Sequence, residues 1–132
     1  MLVAHGPNDS ASAVQWKKHI TISSARVMSL VAPHPTRVAL LRNDASAPVR
    51  AAAVRAMRDT INALAKRASD SVTVLLVLIF NGSLNAVKIP ANIAGLPVRY
   101  RAIGLTPSSA LARWIERRAA ERLDPMRAEY KR

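Results

Sequence analysis

The chain has 132 residues, half of them apolar and 21% charged, which suits one globular domain and excludes a disordered polyelectrolyte. Twenty basic residues, fifteen of them Arg, oppose eight acidic ones for a net charge of +12. There is no cysteine, so disulfides, thiolate nucleophiles and Cys-ligated zinc are excluded.

Residues 1–12 are rich in turn formers and read as a flexible N-terminus. From Val14 the chain alternates, with Val14, Trp16, Ile20 and Ile22 on one face and Lys18 as the misfit, which predicts a half-buried strand. Ser23 to Val31 fits either a short capped helix or a continuation of that strand. Ala32-Pro33-His34-Pro35 breaks regular pairing, and Thr36 to Arg42 reads as a short strand.

A helix is predicted over 47–68, with Asp44 or Ser46 as cap and Pro48 in the first turn. Val54, Met57, Ile61, Leu64 and Ala68 line one face of it. Val72 to Phe80 is nearly all apolar and rich in β-branched residues, which predicts an interior strand covered on both faces. Asn81-Gly82 follows, a pair that favours a tight turn, so Leu84 to Ile89 is expected to pair back antiparallel. Pro90 stops that segment, and Ala91 to Leu96 is a loop or a single helical turn. Pro97 to Ile103 alternates as a further strand. A second helix is predicted over 107–123, opened by Thr106 and Pro107 and closed by Asp124-Pro125.

The expected fold class is therefore α+β: a mostly antiparallel sheet of about four to five strands, including a hairpin at 72–89, packed with two main helices. Residues 13–124 form the single domain and 125–132 a basic C-terminal tail. The order of elements from 47 to 123 is one that small nucleic-acid-binding α+β domains use, the double-stranded RNA-binding domain among them. The likeness is one of element order, since the 81–83 turn is short and the last helix opens Thr-Pro-Ser-Ser where such domains carry lysines.

Charge carries the functional reading. No acid occurs between Asp9 and Asp44 or between Asp70 and Glu116, so long stretches are only basic or neutral. Such an imbalance opposes compaction and attracts polyanions, and the guanidinium fork matches phosphate geometry. Candidate phosphate contacts are Arg55, Arg58 and Lys66 on the first helix, and Arg113, Arg117, Arg118, Arg122 and Arg127 on and beyond the last. Arg99 and Arg101 could present a sheet face to a nucleic-acid backbone. Trp16 beside Lys17, Lys18 and His19 has the aromatic–cation recipe for base stacking, although its place on an alternating strand favours the core, as for Trp114.

His5, His19 and His34 have no second ligand at metal spacing, and no nucleophile elbow or glycine-rich phosphate loop occurs. The sequence thus predicts a non-enzymatic nucleic-acid-binding protein, largely sequence-tolerant, for RNA or DNA, with no catalytic residues, metal or cofactor. A homodimer is left open. A structural or assembly protein (a basic virion or complex component) and a small regulator of an acidic protein partner are the alternatives. With no secretory signal and an apolar run too short to span a bilayer, the expected location is cytoplasmic and no membrane partner is expected.

Overall fold

The computed structural model describes residues 1–31, 35–68, 70–78, 81–104 and 106–129. Helices and strands alternate along the chain: β1 (Leu2–Ala4), α1 (Ser10–Val31), β2 (Val38–Leu40), α2 (Ala47–Ala68) and β3 (Val72–Val77). A π-helical turn (Leu84–Lys88) then runs into α3 (Ile89–Ile93), followed by β4 (Val98–Tyr100) and α4 (Ser109–Glu129). The strands form one four-stranded sheet in the order β2-β1-β3-β4. Every pairing in it is parallel.

Helix and strand do combine as expected, but the antiparallel sheet and the 72–89 hairpin are overturned. Gly82 does not adopt the positive φ that a tight hairpin needs; the positive-φ glycines among the described residues are Gly6 and Gly95. Instead the Asn85 side chain turns back and accepts the Gly82 amide at 2.6 Å, which starts helical winding where the return strand was expected. With a helical segment between β3 and β4, the next strand enters parallel, as crossover connections require. The likeness to the double-stranded RNA-binding domain, which rested on that hairpin, lapses with it.

Two further expectations fail near the N-terminus. Residues 1–12, expected to be flexible, supply β1, an interior strand whose Val3 is fully buried. The stretch from Val14 is helical because Asp9 caps it: its carboxylate accepts the Ser12 amide at 2.7 Å. The alternation of Val14, Trp16, Ile20 and Ile22 does not mark a buried face, for Val14, Trp16 and Ile22 are all exposed.

Elsewhere α2 has the bounds read from its spacing, with Met57, Ile61 and Ala65 as its buried residues. The last helix begins later, where Ser108 Oγ accepts the Leu111 amide at 3.3 Å, and continues through Asp124-Pro125 into the expected tail. The Ala32-Pro33-His34 break, Ile79-Phe80 at the end of the expected strand, and residues 130–132 lie outside the described residues.

The sheet is covered unequally. Register places Met1, Val3, Val72, Val74 and Leu76 on one face, where they pack with Met57 and Ile61 of α2 and Ile89 and Ile93 of α3. On the opposite face Thr73, Leu75 and Val77 of β3 are exposed, while α1 packs against β2. The expectation that β3 is covered on both faces is thus corrected. It is interior within the sheet and buried on one side only.

The Asp9 cap yields a pH prediction. The Ser12 amide, together with the Ser12 hydroxyl, holds the Asp9 carboxyl below its ordinary value. A carboxyl lowered on folding adds stability above its unfolded pKa of about 3.9, and that contribution is lost as pH falls through the lower folded value. Asp9→Ala should therefore flatten the acid limb of helix content, followed by far-UV circular dichroism below about pH 4. An acid limb identical to that of the parent chain would contradict the cap.

Candidate nucleic-acid interface

In a parallel sheet the loops leaving the carboxyl ends of the strands gather at one edge, the edge where ligands of such sheets bind. Here that edge is tied by polar side chains. His5 Nε2 lies 3.4 Å from Asp44, and Arg42 Nε donates to the Pro7 carbonyl at 3.2 Å, joining the loops after β1 and β2. Arg42 also donates to the Asn8 carbonyl. On the other side Asn81 Oδ1 accepts from Asn85 Nδ2 at 2.9 Å and from the Gly104 amide at 2.7 Å. Tyr100 donates its hydroxyl to the Asn85 carbonyl, and burial pushes the Tyr100 phenol up in pKa. Asn85, with 1% of its surface exposed, is thus fully engaged.

Beside this edge lies an open groove of about 760 Å³ between the start of α2 and the π-helical turn. Arg50 and Arg55 enter it from α2 and Lys88 from the turn, with Asn43 and Asn92 between them and no carboxylate in the lining. Arg50 donates to the Asn43 carbonyl at 3.1 Å, and Lys88 Nζ to Asn43 Oδ1 at 3.4 Å. Both cations therefore converge on a neutral residue. The neighbouring Asp44 lies at ion-pair distance from His5 instead. The first turn of α2 contains no acid, so the positive end of the helix dipole adds to the same field.

The ten candidate residues do not form one surface. Arg55 lies in the groove, but Arg58, three residues on, donates to the Asn92 and Ala94 carbonyls at 2.6 and 3.2 Å. Arg58 thus closes the end of α3 and is a structural tie. Lys66 sits in the last turn of α2, three turns from Arg55, where it complements the helix dipole. Arg99 bonds Ser71 Oγ at 2.8 Å and pairs with Asp70 at 3.3 Å. The Ser71 amide first, and Arg99 second, hold the Asp70 carboxyl below its usual range. Arg101 lies beyond β4 and is exposed.

On α4, Arg118 pairs with Glu121 at 2.7 Å and lies 6.0 Å from the centre of the Trp114 ring. Arg113, Arg117 and Arg122 are exposed and make no ion pair among the described residues. The Arg127 side chain lies outside the described residues. Trp16 and Trp114, both expected in the core, are about half exposed, at 48% and 49%.

Sequence reasoning missed Arg50 and Lys88. Their separation along the chain hides the pairing, and Lys88 falls in the segment that reads as a return strand. The only visible signal was that neither has an acidic neighbour at helical spacing. No protein-family model matches this chain, and no curated protein is similar to it in sequence.

Proposed function

We propose that the protein binds nucleic acid without catalysis, through phosphate contacts that tolerate sequence. The observation that carries this reading is the groove where Arg50, Arg55 and Lys88 meet with no carboxylate among its lining residues. Arg50 and Lys88, which rest on the neutral Asn43, keep their field for an external anion, and the net charge of +12 supplies long-range attraction to a polyanion. Arg113 and Arg117 on α4 are further exposed cations. The groove is open to solvent, which suits contact with an extended backbone.

The test is a variant in which Arg50, Arg55 and Lys88 are all replaced by Gln. Binding to fluorescent single- and double-stranded DNA and RNA oligonucleotides is followed by anisotropy at several salt concentrations. Each lost phosphate contact removes about 0.7–0.9 from the slope of log K against log salt, so the slope should shrink by about 2–3. The urea midpoint should hardly move, because these side chains lie outside the core. A slope equal to that of the parent chain would remove the groove from the interface.

A further inference from the structure

Both tryptophans of this largely aliphatic chain are half exposed, and their helical neighbours differ. Trp16 on α1 has Ser12, Ala13, His19 and Ile20 at the spacings of three and four that bring side chains together. Trp114 on α4 has Arg117 and Arg118 at those spacings, with Arg113 just before it, and all three arginines are exposed. The Arg118 guanidinium lies over the Trp114 ring, 6.0 Å from its centre, and donates to Glu121 at 2.7 Å. Glu121 is also the acid at helical spacing from Arg117, and Arg118 has taken it. Glu116 stands three residues after Arg113, yet neither Arg113 nor Arg117 makes an ion pair among the described residues.

This setting suits a nucleobase. Leu111, Trp114 and Ile115 make a single apolar turn, and the positions one and two turns on from Trp114 are Arg118 and Arg122. An apolar stripe that gives way to arginines after one turn offers little to a protein core or a lipid surface. It does offer one flat ring with cations within a turn of it. Surfaces that bind single strands combine those parts, an aromatic for the base and positive charge for the backbone. In a duplex the bases already stack on one another and show only their edges in the grooves. A ring carried on a helix therefore meets a base face in an unpaired strand, where no stacking has to be broken first.

We propose that α4 binds single-stranded nucleic acid by stacking an unpaired base on Trp114, with Arg113 and Arg117 on the flanking phosphates. The inference rests on the nucleic-acid reading above and narrows it to unpaired strands. Arg118 is already shared between the ring and Glu121, so it braces the indole, and the base takes the ring surface that stays exposed.

The presence of two tryptophans makes the test optical. In a Trp16→Phe chain, cleared of nucleic acid with nuclease, all indole emission comes from Trp114. That chain is titrated at low salt with oligo(dT), with the same strand annealed to oligo(dA), and with inorganic polyphosphate, which has charge but no base. Oligo(dT) should quench the emission, whereas the duplex and polyphosphate should bind without quenching it. Trp114→Ala should weaken oligo(dT) binding by about 5- to 150-fold, the worth of one stacked base, and leave polyphosphate binding unchanged. Trp114→Phe should recover most of that loss. Oligo(dT) that binds with the Trp114 emission unchanged would overturn the stacking and leave nucleic-acid binding standing. Failure of every polynucleotide to bind would overturn both. Equal quenching by the duplex would overturn the preference for unpaired strands. A blue shift on raising protein concentration alone would assign the ring to a second copy of the chain and overturn the proposal. So would a larger change with anionic phospholipid vesicles than with oligo(dT), which would assign it to a membrane surface.

Discussion

Ile61→Ala should lower the stability of the fold by about 2–5 kcal/mol. Ile61 is fully buried on α2, in the layer where Met57, Val74 and Ile89 meet. Truncation removes apolar contact and leaves a cavity that the sheet on one side and α3 on the other cannot close. Domains of this size are stable by about 5–15 kcal/mol in total, so the loss is a large fraction of what holds the chain folded. Val87→Ala serves as the control, since Val87 is exposed and its truncation should stay within about 0.5 kcal/mol. Urea unfolding followed by circular dichroism reads both. Equal effects would mean that the core does not lie between α2 and the sheet.

Gly6→Ala is expected to destabilise by about 2–4 kcal/mol, from two penalties that act together. Gly6 has φ of +79°, a region that costs an L-residue about 1–2 kcal/mol. An added Cβ would also lie 2.7 Å from the Leu40 Cβ, an atom fixed to strand β2 and unable to swing aside. The loop cannot relax freely, because Arg42 holds the Pro7 and Asn8 carbonyls. The same denaturation assay applies, with Gly95→Ala as comparison, since Gly95 shares the positive φ but has open space around it. If Gly6→Ala costs no more than Gly95→Ala, close packing of the β1 loop on β2 is wrong.

These two sites also show what the sequence made legible. α2 was readable because Pro48 marks its start and because Met57 and Ile61 repeat at helical spacing over many turns. β3 was readable as a strand from its β-branched run. Of its two partners, β4 lies within the strand read over 97–103, whereas β1, three residues in a turn-rich stretch, carries too few residues to establish a period. Asn81-Gly82 misled for a physical reason. The pair suits a hairpin turn, but Asn85, a buried acceptor three residues further on, bonds the Gly82 amide and favours helical winding. α1 was hidden because Val14, Trp16 and Ile22, whose alternation suggests a strand, are exposed on the helix, and the Asp9 cap marks where it starts.

The candidate site was legible as charge but not as geometry. Arg55 could be named from α2 alone, yet its companions Arg50 and Lys88 become neighbours only when the π-helical turn packs beside the start of α2. Arg58 and Arg99 looked equivalent to Arg55 in sequence. They differ because carbonyls of α3 and the Asp70 carboxylate already occupy them. Which arginines remain available is decided by tertiary contacts, and composition does not report those.

The central claim is that this charge serves polynucleotide binding, and a salt titration of the unmodified, nuclease-treated protein tests it most directly. Equilibrium binding to a labelled oligonucleotide is measured from about 50 to 200 mM salt, a range over which six to ten phosphate contacts cost about 10³–10⁵ in affinity. The account predicts a linear fall of log K with log salt, with a slope that the Arg50, Arg55 and Lys88 substitutions reduce. An affinity that is flat across that range, or no binding at the lowest salt, would contradict it.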